Sequence, residues 1–597
     1  MEHMGITISP NKDQLFDDLG IRRLKESYMN DDELSPQERF AFVSKTFSSN
    51  IQHAQRLYEY SSNHWLSYST PILSYGGKSS KGLPISCYLN WIPDTAEGLV
   101  DTLSETNWLS MLGGGVGVGF GIRSAGDKST GVLPHLKMYD ASSLAYRQGK
   151  TRRGSYAAYL DIDHPDILLF LEMRKPTGDQ NFRCLNLHHG INISDKFMSL
   201  VEKSMLDPNA DDSWELKEPE TNEVREIIPA RELWQRILEM RMQTGEPYLH
   251  YIDTSNRALP YWLKDKGLKV RQSNLCSEIT LPTDIDRTAV CCLSSLNLEY
   301  FDEWSQNEQF LEDVLEMLDN VLQHFITNAP DFVSRAKYSA MRERSVGVGA
   351  LGFHAYLQKK NVPFESAVAK SLNMRVFKHI REGLDAANLK LGSIRGEAPD
   401  AKDTGRRCSH VMAVAPNASS SIIMGNTSPS VEPWRANAYR QDTLSGAFLN
   451  KNKFLDALIK KKIDEDSSIN YDRVWSSIIA HEGSVQHVRF LSDYEKDIYK
   501  TAMEIDQRWV IEHAADRQMF IDQAQSLNVF FRPDVNVKYL HAVHFLAWKK
   551  GLKTMYYCRS EKIGKADKVS RRIERQVIQE LDMSAIAMGE DCMACEG

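Results

Sequence analysis

Hydrophobic positions change period several times along the chain. Between residues 10 and 66, Leu15, Leu19, Ile21 and Leu24 recur near one helical face, and the same period runs from Glu38 to Tyr60. This predicts an N-terminal helical region. Thr70-Pro71 should break it, because a residue before proline disfavours helix. After the glycine-rich Tyr75 to Gly82, the run Leu83 to Trp91 reads as a strand carrying Ser86 and Cys87. Pro93-Asp94-Thr95 opens a helix marked by Leu99, Leu103 and Leu112, and Gly113-Gly114-Gly115 ends it. Gly113 to Gly121 then alternates glycine with Val116, Val118 and Phe120, a backbone that something must approach closely. Residues 203 to 226 read as a charged loop. Asn307 to Phe325 predicts an amphipathic helix that stops before Pro330. Short apolar strands alternate with helices from 83 to 560, which gives an α/β class. The pattern divides into a helical region at 1–70, an α/β domain at 71–560 and a charged, mobile tail at 561–597.

The 597 residues are 42% hydrophobic and 25% charged, an ordinary globular balance. Net charge is −8, which argues against bulk nucleic-acid binding. No run of residues is long and apolar enough to predict a transmembrane helix. Met1-Glu2-His3-Met4-Gly5 lacks the features of a signal peptide, so a cytoplasmic location is expected. In that reducing compartment nine irregularly spaced cysteines do not predict a disulfide scaffold.

The chemistry centres on Ser273-Asn274-Leu275-Cys276-Ser277-Glu278-Ile279. An extended segment would point Asn274, Cys276 and Glu278 to one side. A carboxylate beside a thiol opposes thiolate formation. The triplet therefore suits a cysteine that abstracts a hydrogen atom better than a nucleophile. Pro416-Asn417-Ala418-Ser419-Ser420-Ser421 offers hydroxyls and free backbone N–H groups to an anion. Cys592-x-x-Cys595 has redox or half-zinc spacing, but no second such pair exists to complete a zinc site.

Other motifs fail on context. Gly347-Val348-Gly349-Ala350-Leu351-Gly352 matches a dinucleotide fingerprint but follows Arg342-Glu343-Arg344-Ser345 instead of an apolar strand; tight helix packing is the expected reason for its glycines. His481-Glu482 and His487 lack metalloprotease spacing. His188 and His189 would face opposite sides of a strand, so no metal site is expected.

The order of these pieces resembles the catalytic large subunit of class I ribonucleotide reductase over nearly the whole chain. It runs from a cysteine strand after Thr-Pro through a glycine-rich stretch, a Gln-Gly cationic loop and Asn-x-Cys-x-Glu. A second cysteine follows about fifteen residues later, then Pro-x-x-Ser-Ser, Tyr556-Tyr557 and a terminal cysteine pair. Ala514-Ala515-Asp516-Arg517-Gln518 and Asp522 to Asn528 are similar too. The resemblance implies a ten-stranded α/β barrel of two antiparallel five-stranded halves with a central finger loop, preceded by a helical region.

It also implies roles. Cys276 would become a thiyl radical that abstracts the substrate's 3′ hydrogen, Glu278 would take the 3′-OH proton, and Asn274 would hydrogen-bond the ribose. Cys87 and Cys291 would supply reducing equivalents and end as a disulfide; Cys291 fits the family pattern better than its neighbour Cys292. Cys592 and Cys595 would re-reduce that disulfide. Tyr556 and Tyr557 would relay the radical from a separate small (beta) subunit. Thr70, Ser86, Asn417, Ala418, Ser419 and Ser420 would contact substrate. Asp94 and Arg123 would belong to a specificity site for ATP or deoxynucleoside triphosphates, and Gln148 to Arg153 would link it to the active site. Thioredoxin or glutaredoxin, ribonucleoside diphosphates and a second copy of the chain are the implied partners. No membrane or nucleic-acid partner is implied, and no cofactor beyond substrate and effector nucleotides.

Some features depart from relatives. Only 86 residues precede Cys87, so no N-terminal ATP-binding regulatory domain is expected. The tail pair is closer together, and the Gln148 loop has fewer glycines, than in some relatives. The main alternative is a class II, adenosylcobalamin-dependent reductase, which would share Asn274, Cys276 and Glu278 but need no tyrosine relay. A catalytically dead nucleotide-binding homologue would have lost one of these cysteines.

Overall fold

The computed structural model describes residues 1–77, 82–146, 155–443 and 446–560, without the side chains of 440–448. Three helices, Asp18–Ser27, Pro36–Thr46 and Ile51–Ser62, open the chain, each started by a side chain that accepts a backbone N–H: Asp17, Ser35 and Asn50. Strand β1 (Leu66–Tyr68) follows. Thr70-Pro71 does not break a helix. It starts a short one, Thr70–Leu73, because proline is tolerated in a first helical turn.

The centre is a barrel. Strands β2 (Cys87–Ile92), β3 (Gly115–Phe120), β4 (Tyr156–Asp161), β5 (His188–Ile193) and β6 (Tyr248–Tyr251) pair in parallel in chain order. Strand β7 (Ala289–Asn297) pairs antiparallel with β2, accepts β1 on its far end, and runs parallel to β8 (Val346–Leu351). Beyond β8, bridges Val348–Met412 and Val414–Gln525 add two further parallel segments. The second of these continues into β9 (Val529–Phe531). The last segment holds β10 (Thr554–Met555) and β11 (Cys558–Ser560); β11 is parallel to β9, and β10 is antiparallel to β6. Two parallel halves of five segments thus meet antiparallel at both seams, which closes the barrel.

The strands are buried on both faces and read as unbroken apolar runs, as parallel strands covered by helices do. Phe310–Asn328 and the 29-residue Ala367–Arg395 pack outside; the first buries Phe310, Leu311, Val314, Leu315, Leu318, Val321, Leu322 and Phe325, the stripe seen in its sequence. Residues 203–226 are not a loop. A helix ends at Leu206, and Ser213–Lys217 and Val224–Pro229 form a hairpin whose first strand buries Trp214 and Leu216 and whose second strand is largely exposed. Its charges sit on an edge, where polar residues discourage further pairing. Gly347 to Leu351 lie inside β8, so their glycines serve strand packing and not helix packing. A Cβ on Gly349 would lie 2.6 Å from the Ala413 carbonyl oxygen. Among the described residues no helix is long and apolar enough to cross a membrane.

Candidate active site

Residues 271–283 enter the barrel as an irregular loop, buried almost throughout. They do not form the extended segment expected from the sequence. A turn over 275–277 reverses the chain, and Ser277 adopts a left-handed φ of +68°. That conformation costs a non-glycine residue on the order of 1–3 kcal/mol. It is held by Tyr159 of β4, whose hydroxyl donates to the Asn274 carbonyl at 2.6 Å and lies 3.3 Å from Ser277 Oγ.

The glycines of β3 explain how the loop fits. A Cβ on Gly117 would sit 2.2 Å from the Ser273 carbonyl oxygen and 2.7 Å from Asn274 Cα; one on Gly115 would sit 2.6 Å from Leu275 Cδ2. Alternation puts Gly115, Gly117 and Gly119 on the same inner face, against the loop. Gly117→Ala is therefore expected to displace Asn274 and to lower turnover at least about tenfold. Overpacking of this kind costs about 1–3 kcal/mol in stability. Steady-state rates beside thermal unfolding check it, and a variant with unaltered kcat would contradict the close packing.

The turn brings Asn274 and Glu278 together. Asn274 Nδ2 donates to Glu278 Oε2 at 2.8 Å and lies 3.2 Å from the Cys87 sulfur; its Oδ1 accepts the Ile279 N–H at 3.1 Å. The Cys87 thiol points at Glu278 Oε1 from 3.7 Å. Ser526 donates to Glu278 Oε2 at 3.1 Å and to the Cys276 carbonyl at 2.5 Å. Burial pushes the Glu278 carboxyl up to about 7, and its bonds to Asn274 and Ser526 offset only part of that. A carboxyl poised there can accept or return a proton near neutral pH.

Cys87 on β2 and Cys291 on β7 are direct partners across the antiparallel seam. Gln523 Nε2 lies 3.6 Å from the Cys291 sulfur. Burial holds the Cys291 thiol well above its usual range, so it rests protonated. Cys292, its neighbour, points to the other face and lies 3.4 Å from the Leu318 carbonyl of an outer helix. Strand alternation thus sends Cys291 inward and Cys292 away.

Cys276 packs in a separate buried cluster with Leu275, Ala157, Tyr159, Tyr248, Tyr556 and Tyr557. The Tyr556 and Tyr557 rings are 4.3 Å apart at 53°. Adjacent residues can approach so closely because the chain leaves the strand between β10 and β11. Buried Arg241 donates to the Tyr556 carbonyl at 2.9 Å and to that of Pro247 at 2.6 Å, which holds this irregular segment. Tyr248 touches both rings, at 4.7 and 5.1 Å.

The remaining candidates are dispersed along the chain. Thr70 Oγ1 lies 3.2 Å from the Tyr28 hydroxyl, and Ser419 accepts a hydrogen bond from Arg23 at 2.9 Å; both contacts come from the helix Asp18–Ser27 or its end. The buried Ser86 hydroxyl has no hydrogen-bond partner among the described residues. Asn417 adopts a left-handed φ of 55°, and its amide donates to Ser295 Oγ and the Ala350 carbonyl, each at 3.1 Å. It does not cap the six-residue helix Ala418–Ile423 through its side chain; Ser420 in that helix is buried and Ala418 half-buried. Asp94 and Arg123, 29 residues apart, form an ion pair at 2.5 Å. The Gln148–Arg153 loop and Cys592 and Cys595 lie outside the described residues.

Sequence reasoning assigned no role to Tyr159, Tyr248, Gln523 or Ser526. The similar stretch Asp522 to Asn528 was a signal for the last two. Nothing local marks the tyrosines, which reach the site only by barrel closure.

Comparisons with known proteins agree with this geometry. Residues 85–403 and 397–558 match the ribonucleotide reductase barrel domain, and 14–81 match the all-alpha domain of the same enzymes. The chain is 52% identical over 612 residues to a ribonucleoside-diphosphate reductase large subunit of Invertebrate iridescent virus 3, covering 94% of this chain and 97% of that one. It is 38% identical over 906 residues to the large subunit of Invertebrate iridescent virus 6, with 95% and 94% covered. The Actinobacillus ureae class Id ribonucleotide reductase alpha subunit superimposes with a TM-score of 0.80 at 34% identity, covering 92% of this chain and 98% of that one. With matched family domains, similar relatives over nearly full length and a class I fold neighbour, the chain belongs to the ribonucleotide reductase family as a class I large subunit.

Proposed function

We propose that the chain reduces ribonucleoside diphosphates to 2′-deoxyribonucleoside diphosphates in the cytoplasm, using a radical delivered by a small partner subunit. The observation that carries this reading is the position of Cys276 between two groups. Its backbone is tied to the hydrogen-bonded set of Asn274, Glu278, Ser526 and Cys87, while its side chain packs with Tyr556 and Tyr557.

In this reading Tyr557 and then Tyr556 pass oxidation inward, and Cys276 loses its hydrogen atom. The thiyl takes the 3′ hydrogen of the bound ribose. Glu278 takes the 3′-OH proton, and Asn274 steadies that hydroxyl. Water then leaves C2′. Cys87 and Cys291 each give up a hydrogen equivalent and join as a disulfide, for which their facing positions across the seam are suited. The product disulfide lies in a closed barrel, out of reach of an external protein. Cys592 and Cys595 would carry electrons to it by thiol–disulfide exchange from thioredoxin or glutaredoxin. Ser86, Thr70 and the Asn417 to Ser420 segment are the substrate contacts, and Asp94 with Arg123 belongs to the effector site, in a homodimer.

The test is reduction of a ribonucleoside diphosphate by the purified chain with a dithiol and an effector triphosphate. One arm adds a radical-bearing small subunit; the other adds adenosylcobalamin. Turnover with the protein partner alone is expected. Turnover with cobalamin alone would reduce Tyr556 and Tyr557 to packing residues.

A further inference from the structure

Gln523 takes no part in the steps above, yet its amide meets the Cys291 sulfur. The side chain is fully buried, and two backbone groups decide which way the amide points. The Thr280 N–H needs an acceptor, so Oε1 faces it at 3.4 Å; the Val346 carbonyl needs a donor, so Nε2 faces it at 3.2 Å. The second N–H of Nε2 is left for the Cys291 sulfur, 3.6 Å away. The segment is pinned as well: buried Lys553 donates to the carbonyls of Asp522 and Gln523 at 2.6 and 2.7 Å. An amide so held cannot turn its oxygen to the sulfur without leaving both backbone groups unsatisfied.

The two sulfurs of the pair differ. Cys87 lies among the groups read as facing substrate, with Asn274 Nδ2 at 3.2 Å and Glu278 Oε1 at 3.7 Å. Cys291 is the more deeply buried, and among the described residues it has no carboxylate oxygen within hydrogen-bond distance. Asn274 donates towards Cys87, but a thiolate there would face the Glu278 carboxylate, and like charge opposes it. A thiolate on Cys291 would instead meet an amide N–H. A disulfide breaks by attack on one sulfur while the other leaves as a thiolate, and the better-stabilised thiolate leaves faster. We propose that Cys87 is the sulfur attacked when the Cys87–Cys291 disulfide is re-reduced, and that the Gln523 N–H receives Cys291 as the departing thiolate. This rests on the reading of the two cysteines as the pair oxidised in turnover.

The thiolate of an incoming dithiol attacks Cys87 Sγ. A bond forms between those two sulfurs, the Cys87–Cys291 bond breaks, and its electron pair goes to Cys291 Sγ. The free thiols of the structure are the state this sulfur reaches, with its donor already in place. Burial holds the Cys291 thiol well above its usual range, so the thiolate takes up a proton. The second thiol of the dithiol then displaces Cys87 as a thiolate, which is protonated in turn. The dithiol ends as a disulfide, Cys87 and Cys291 end as thiols, and the two protons that the dithiol loses are the two that they gain.

The test uses the full chain carrying Cys592→Ser and Cys595→Ser, so that the tail thiols cannot exchange the label. One turnover with a ribonucleoside diphosphate and the radical-bearing partner forms the disulfide. Cysteamine, a small monothiol, is then added, freed thiols are alkylated, and the mixed disulfide is located by peptide mass. Cysteamine on Cys87 beside an alkylated Cys291 is expected. Gln523→Met keeps the length of the side chain and loses its N–H groups. It should slow reduction of the disulfide by a small dithiol at least about tenfold, as loss of a hydrogen bond to a charged group does. It should also lower the ratio of label on Cys87 to label on Cys291 by a similar factor. Label on Cys291 in the chain that keeps Gln523 would overturn the proposal, as would full-speed reduction in Gln523→Met. Slower reduction with the label ratio unmoved would assign Gln523 to packing and overturn it too. Should Gln523→Met fail to fold, the position of the label in the chain that keeps Gln523 still decides which sulfur is attacked. A turnover that forms no disulfide between Cys87 and Cys291 would instead remove the reading on which the proposal rests.

Discussion

Replacing Cys276 with serine should abolish turnover, by at least about a thousandfold, while leaving nucleoside diphosphate affinity within a factor of two or three. The magnitude follows from the barrier: each 1.36 kcal/mol is tenfold, and the O–H bond of serine is far stronger than the S–H bond of cysteine. A tyrosyl radical can oxidise a thiol but not an alcohol, so the relay would stop one residue short of the substrate. The replacement is small and isosteric. Cys276 is 2% exposed, and its backbone carbonyl keeps its bond to Ser526. Deoxynucleotide formation and equilibrium binding of the diphosphate, measured on the same preparation, check it. Retained turnover would remove Cys276 from the chemistry. Lost binding would assign the residue to packing.

The second large effect is expected at Glu278. Its carboxyl is shifted from 4.5 to about 7 by burial. As the proton acceptor it must be ionised, so kcat/KM should rise with pH through about 7 and then level off. Glu278→Gln should lower kcat by roughly a hundredfold or more and abolish that rise. Stability should move the other way. A carboxyl whose folded pKa is raised incurs no penalty below its unfolded pKa; the penalty grows as pH rises towards 7 and is complete above it. The shift corresponds to at most on the order of 3 kcal/mol. The amide incurs none, so between pH 5 and pH 8 the unfolding free energy of Glu278→Gln should gain on that of wild type. Denaturant titrations at the two pH values measure this, and a difference that does not change with pH would contradict the buried, raised carboxyl.

The same residues separate what is local from what is not. Periodicity placed the helix Phe310–Asn328 because a helix on a barrel surface must present one apolar stripe, and that stripe is written at three- and four-residue spacing. The alternating glycines of β3 announced a close approach, and Asn274, Cys276 and Glu278 stood out because three chemically distinct groups within five residues can share one volume. Capping side chains at the N-terminal helices are equally local. The thiyl, relay and disulfide roles came from resemblance in motif order, not from these patterns.

What the chain order could not carry was anything set by closure. Asn274 and Glu278 meet through a turn with a left-handed Ser277, not through an extended strand, because the loop must reverse inside a barrel already filled by its own walls. The glycines of β8 serve strand contacts, since 411–414 packs beside them. Cys291 and Cys292 look alike in sequence; the pleat of β7 sends one to Gln523 and the other to an outer helix. Tyr159 and Tyr248 reach Cys276 or the tyrosine pair from separate strands. The sequence by itself determined the helical opening, the α/β alternation and the residue types of the centre, because those depend on neighbours a few positions away. Only the tertiary structure decided which distant side chains face that centre, because two antiparallel seams join residues separated by up to hundreds of positions, and no local spacing encodes that closure.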